Sequence, residues 1–205
     1  MGKKATYHHG NLKEALVQRA EQEIEREGFE NLKMQALTEA VGVQPSAAYR
    51  HYRNRESLLR SLARRSFDRW DAEIRALMAR TSPQHQAEAI LRFFLGDALA
   101  RPQMFRLMFD SEYGRDARSI VGMVSFLTLE QALRQLMPEE DEEGVRTRLL
   151  WSWATLHGTA LLLIEGRLQR FYVGNMHTES LIEDIIRALL PGRSGRRLAP
   201  PRSPG

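Results

Sequence analysis

Cysteine is absent from all 205 residues, which excludes disulfides, thiolate metal sites and cysteine nucleophiles. That absence fits a reducing, cytoplasmic setting. No run of alternating polar and apolar residues is long enough to read as a half-buried strand, and no internal repeat is visible. Long hydrophobic runs are missing too. The most apolar stretch, Leu149 to Ile164, is interrupted by Ser152, Thr155 and His157 and falls short of the roughly 18 residues a spanning helix needs. The N-terminus starts basic and has no apolar signal core, so no membrane partner is expected. Catalytic signatures are equally scarce: there is no Ser-His-Asp order, no P-loop and no GxGxxG. His8-His9 lacks a third ligand at useful spacing. The acidic run EEDEE (139–143) lacks the glycine and alternating-oxygen register of a calcium loop, and reads as a solvated loop whose acids favour the next helix N-terminus. Neither an enzyme, a metal site nor a cofactor is expected.

What the chain does contain is ordinary in amount and uneven in placement. Hydrophobic residues make up 42% and charged residues 27%, a balance that supports a folded globular core rather than disorder. Net charge is only +4, yet Val43 to Arg65 holds six arginines against Glu56 alone. Residues 1–13 add three lysines and no acid, whereas residues 14–42 set seven glutamates against three basic residues. The last fifteen residues carry four arginines and no acid. Such a run is either a solvated helix face or the footprint of an anionic polymer, and turn chemistry beside it favours the polymer.

Periodicity predicts an all-α chain of about nine helices. Asn11 and Glu14 form a capping box for the first, in which Leu12, Leu16, Ala20 and Ile24 recur at helical spacing until Gly28. A short second helix spans about Met34 to Val41, and Gly42 breaks it. Pro45 suits a new start, giving a third helix to about Tyr52. Asn54 caps a fourth, about Arg55 to Ala79. A fifth opens at Ser82-Pro83 and reaches about Ala100, and a sixth runs from Pro102 to Phe109. The seventh, Arg115 to Leu136, stops before Pro138. An eighth follows the acidic run to about Leu168, and a ninth covers Thr178 to Leu190. PGRSGRRLAPPRSPG, residues 191–205, reads as a disordered basic tail. Two domains emerge: 1–55, with 1–10 as a basic arm, and a larger helical body, 56–190.

A short helix, a glycine turn and a second short helix with exposed polar groups make a helix-turn-helix. The second helix of such a unit fits the major groove, about 12 Å wide. Val43 is the expected buried turn residue. Pro45 then starts the recognition helix and Ser46, Ala47, Tyr49 and Arg50 lead its exposed face. Arginine can reach guanine O6 and N7 together, and small residues let the backbone approach. Tyr49, His51 and Arg55 can donate to phosphates, which sets orientation rather than sequence preference. Lys3 and Lys4 supply an arm along the backbone or in the minor groove, and Lys33, Gln35 and Gln44 complete the expected contact set.

The stretch GFENLKMQALTEAVGVQPSAAYRHYRNRESLL resembles the TetR family of bacterial transcriptional regulators. It carries the Gly42-Val43 turn, the Tyr49-x-His51-Tyr52 signature and the Arg55-Glu56 pair, and with YHHGNLKEAL the likeness covers residues 7–60. Gln44 and Lys33 stand where the family commonly has hydroxyl caps, and Tyr52 where phenylalanine is commoner. RPQMFRLMF (101–109) and WATLHGTALLLIEG (153–166) are similar to the C-terminal domain of a subfamily defined by a Trp-His-Gly motif, here Trp153, His157 and Gly158, with Gly158 permitting close helix approach.

The resemblance implies a homodimeric, ligand-responsive repressor that binds a near-palindromic operator in double-stranded DNA. It places dimerisation on the eighth and ninth helices, where Leu161, Leu181, Ile185 and Leu189 are the candidate seam. The effector expected is a small hydrophobic molecule lined by Phe105, Phe109, Met123, Phe126, Trp153 and His157. For each of these a plain core role is the competing assignment. Two other classes stay open: a helical carrier or enzyme with an incidental basic face, and an effector-independent architectural DNA-binding protein.

Overall fold

The computed structural model describes residues 12–117, 122–168 and 178–190. Asn11, Lys3, Lys4 and the tail 191–205 lie outside these residues. Among the described residues the chain is helical without strands: α1 Leu12–Glu27, α2 Met34–Val41, α3 Pro45–Tyr49, α4 Arg55–Arg80, α5 Pro83–Ala100, α6 Pro102–Phe109, α7 Glu112–Ala117, α8 Gly122–Leu136, α9 Glu142–Ile164 and α10 Thr178–Leu189. A 3-10 turn, Phe29–Asn31, joins α1 to α2.

Three element ends differ from expectation, each for a local reason. The α-helix of α3 stops at Tyr49, with His51 and Tyr52 both donating to the Ala48 carbonyl in a tightened last turn. The expected seventh helix is described as α7 and α8, with 118–121 outside the described residues. α7 starts early because the Ser111 hydroxyl accepts the Gly114 N–H at 3.2 Å while donating to the Leu107 carbonyl. Gly114 is obligatory there, since a Cβ would lie 1.9 Å from the Met108 carbonyl oxygen of α6. α9 stops at Ile164, four residues short of the reading. Gly166, at φ 66°, closes it by donating to the Leu163 carbonyl.

The chain divides into two compact units, Met1–Glu73 with Ala100–Ser125 and Ile74–Leu99 with Phe126–Gly205. In the first, Leu16, Ala20 and Ile24 of α1 close on Leu37, Ala48, Leu58, Leu59 and Leu62, and α6 and α7 join through Met104, Leu107 and Tyr113. α6 lacks a side-chain cap of its own. Glu25 of α1 supplies one, accepting the Gln103 and Met104 N–H groups at 3.2 and 2.9 Å.

The second unit is built on the inner face of α9, where Val145, Leu149, Leu156, Ala160 and Leu163 are buried, together with Ile90, Leu91, Phe94 and Leu95 of α5. Asp141 caps α9 by accepting the Gly144 N–H at 2.8 Å, which is the task expected of the acidic run. Arg92 of α5 pairs with Glu88 at 2.8 Å and with Glu183 of α10 at 2.6 Å. That guanidinium holds the Glu183 carboxyl below the usual glutamate range. None of the described helices is long and apolar enough to cross a membrane.

Candidate nucleic-acid interface

The turn between α2 and α3 decides where the recognition helix points. Gly42 sits at φ 76° and ψ 32°, a conformation that costs an L-residue energy but not glycine. Its N–H donates to the Glu39 carbonyl at 3.1 Å, and the Val43 N–H donates to the Thr38 carbonyl at 2.9 Å. These are the paired bonds of a Schellman ending. Val43, expected to be buried, is half-buried against the core; Ala47, expected on the exposed face, is half-buried beside it because Ala48 next to it is fully buried.

The opposite face of α3 is open. Gln44, Pro45, Ser46, Arg50 and His51 are exposed, and Tyr49 is 49% exposed. Lys33 and Gln35 lie exposed at the start of α2, Gln35 donating to Glu39 at 2.9 Å. Neither Gln44 nor Lys33 makes a side-chain cap bond, so both side chains remain available to a partner. Arg53, exposed between α3 and α4, belongs to the same surface and was missed from the expected set.

Three arginines of the basic run already have partners within the chain. Arg65, though exposed, donates to both carboxylate oxygens of Glu14 at 2.9 and 2.6 Å, tying α4 to α1, and this bond raises its pKa further. Arg60, also exposed, lies over the Tyr113 ring, 5.7 Å from its centroid. Arg55 is half-buried, with Nε 2.9 Å from the Leu32 carbonyl and Nη2 2.6 and 3.0 Å from those of Phe29 and Glu30. Tyr52 is 4% exposed and its hydroxyl is buried without a hydrogen-bond partner, so its ring acts in the core rather than on the surface. At the head of α4, Asn54 Oδ1 accepts the Ser57 N–H at 2.9 Å, which realises the expected cap.

Matches to known families decide the meaning of this geometry. Residues 16–62 match the model for bacterial regulatory proteins of the TetR family, and residues 84–189 match the tetracyclin repressor-like C-terminal domain. The chain belongs to the TetR family. No curated protein matches the sequence closely. A protein of unknown function from Rhodococcus sp. RHA1 has the same fold, with TM-score 0.73, 23% identity and coverage of 91% of this chain and 97% of that one. The transcriptional regulator FadR from Bacillus subtilis, in complex with stearoyl-CoA, superposes with TM-score 0.67 at 11% identity, covering 87% and 98%. AibR, in complex with isovaleryl coenzyme A and operator DNA, gives 0.64 at 15% identity, covering 87% and 98%. This TetR-family chain is thus a DNA-binding transcriptional regulator.

The residues expected around an effector are drawn from both units. Phe105 and Phe109 lie in the first unit, 1% and 8% exposed, packed on each other at 4.7 Å and on Trp70 at 6.4 and 5.2 Å between ring centroids. Phe126, Trp153 and His157 gather in the second unit. The His157 ring stacks on Trp153 at 6.1 Å and 13°, and Phe126 meets the indole edge-on at 6.0 Å. Phe94 of α5, absent from the expected set, makes the matching edge contact at 5.6 Å. The Met123 side chain lies outside the described residues.

The candidate seam divides as well. Leu189 is 6% exposed and, with Ile186 and Leu190, is buried within the chain itself. Leu161, Leu181 and Ile185 are half-exposed. The outer face of α9 adds Trp151, 68% exposed, and Leu162, neither of them anticipated. Gly158 lies on the same face. A Cβ there would meet nothing within 4 Å, so none of the described helices uses its small size.

Proposed function

We propose that this TetR-family regulator is a homodimeric repressor that releases a near-palindromic operator when a small hydrophobic molecule enters its C-terminal domain. The observation that carries this reading is the cluster around Trp153. Four rings from three helices meet in the second unit, three of them half-buried, and one is an imidazole able to orient a single polar group of a ligand. Phe105 and Phe109 are assigned to the core of the first unit. Structures of the same fold hold stearoyl-CoA and isovaleryl coenzyme A, and an acyl chain has the apolar character that such a cluster accepts.

Dimerisation is supported by α9 being apolar on two sides. Its inner side is buried, whereas Trp151, Ala154, Gly158 and Leu162 recur at helical spacing outward. A second copy, related by a two-fold axis, would cover that stripe together with Leu161, Leu181 and Ile185. Two α3 helices roughly 34–36 Å apart would then meet successive major grooves.

The test uses a duplex that the wild-type protein selects from a random-sequence pool, followed by fluorescence anisotropy. Uncharged acyl esters of graded chain length should release the duplex, with one length most potent. Trp153→Ala and His157→Ala should keep ligand-free affinity within about tenfold, or about 1.4 kcal/mol, while blunting release. Loss of DNA binding in both variants would return Trp153 and His157 to a core role. A carrier would bind no duplex, and an architectural protein would bind random and selected duplexes alike.

A further inference from the structure

Arg55 was expected on a phosphate, yet the geometry assigns it a different task. We infer that Arg55 is a positioning residue that clamps the helix-turn-helix at both ends and thereby holds α3 in reading register. The inference rests on α3 being the base-reading helix.

Three of the five guanidinium N–H groups are spent on backbone carbonyls, those of Leu32, Phe29 and Glu30. The remaining Nη1 lies 3.9 Å from the Glu56 carboxylate. Leu32 precedes the N-cap residue of α2, and Arg55 is the first residue of α4, just beyond the turn that ends α3. The bond therefore joins positions 23 residues apart and closes a ring around α2, the glycine turn and α3.

Leu32 and Tyr52 bury the two ends of this segment in the core, and Arg55 joins those ends by direct hydrogen bonds. Its upstream acceptors are the carbonyls of the 3-10 turn and of Leu32. That turn is anchored elsewhere in the first unit: the Phe29 ring meets Tyr113 at 6.3 Å, and Glu30 pairs with Arg106 of α6 at 3.3 Å. Arg55 thus fastens the exit of α3 to a fixed point of the core. The planar fork spreads its donors over Nε and Nη2 and so spans all three carbonyls. A lysine would keep the charge and lose the geometry.

A positioning role and a phosphate contact differ in what their loss does. Removing a phosphate contact lowers the salt slope of binding by about 0.9 and weakens all sequences alike. Releasing the clamp leaves the count of neutralised phosphates unchanged and loosens the base reader. The experiment compares wild type, Arg55→Met and Arg55→Lys on the wild-type-selected duplex and on a scrambled duplex, across a salt series, with circular dichroism confirming the folded state.

We expect both variants to lose at least about tenfold on the selected duplex, equivalent to one good base contact. Both should change far less on the scrambled duplex and keep the wild-type salt slope. A slope lowered in Arg55→Met and restored in Arg55→Lys would overturn the inference in favour of a phosphate contact. Unchanged affinity and specificity in folded Arg55→Met would reduce Arg55 to a stabilising brace and overturn it too. Should Arg55→Met be unfolded, Arg55→Lys decides alone, because wild-type specificity there also overturns the clamp. If the wild type enriches no sequence, the base-reading role of α3 fails, and this inference with it.

Discussion

Substituting Gly158 separates a solvent-facing helix from a seam between two copies, because the two environments give opposite signs. Glycine inside a helix costs about 0.8–1.0 kcal/mol relative to alanine, and a Cβ at this position meets no atom of the chain within 4 Å. In an isolated protomer, Gly158→Ala should therefore stabilise by about that amount. For a chain of this size that is a rise in Tm of roughly 2–4 °C. If a second α9 packs across Trp151, Ala154, Gly158 and Leu162, the added methyl pushes two backbones apart. Overpacking of that kind costs about 1–3 kcal/mol per site, and a two-fold axis applies it twice. Gly158→Leu enlarges the effect while adding a good helix former to the protomer. Sedimentation equilibrium of Gly158→Leu should show monomer, with circular dichroism unchanged and selected-duplex affinity reduced because half-sites are read singly. A dimer as tight as wild type, together with a raised Tm in Gly158→Ala, would refute the placement of the seam on this face.

Three further outcomes follow from particular contacts. Arg50→Ala should cost about 1–3 kcal/mol on the selected duplex and relax preference at one position per half-site; equal weakening on every sequence in a binding-site selection would make Arg50 a phosphate contact instead. Glu25→Ala leaves two N–H groups of α6 uncapped and should lower stability by about 1–2 kcal/mol in urea denaturation, while an unchanged midpoint would show that water caps α6 as well. Glu183 has its pKa lowered by Arg92, so its contribution is full above the ordinary glutamate value of about 4.3 and is lost as pH falls through the lower folded-state value. Glu183→Gln should flatten the acid limb of thermal stability only slightly, since the carboxylate is exposed and screened; a wild-type acid limb in that variant would leave the pair without a role.

The helices and the reading head were legible in the sequence because their signals are local. Leu12, Leu16, Ala20 and Ile24 declare a buried stripe by spacing alone. Gly42-Val43 and Pro45 declare a turn by backbone preference, and the basic run beside them names an anionic partner. Contacts between distant segments carry no such signal. Nothing in the composition of α1 says that Glu25 will cap α6, nor that Phe94 will complete the ring cluster at Trp153, since spacing defines a face and not its neighbour. Apolar faces share this ambiguity. Leu189 and Trp151 both read as hydrophobic positions on helices, yet packing buries the first inside the chain and leaves the second outside. Arginine is the sharpest case. Arg50, Arg55 and Arg65 stand within sixteen residues of the same basic run, and one sequence rule would send them all to DNA. A guanidinium donates equally well to a phosphate, a carboxylate or a row of carbonyls. Only the tertiary structure, by bringing the Leu32 turn and Glu14 within reach, decided which of the three already have partners within the chain.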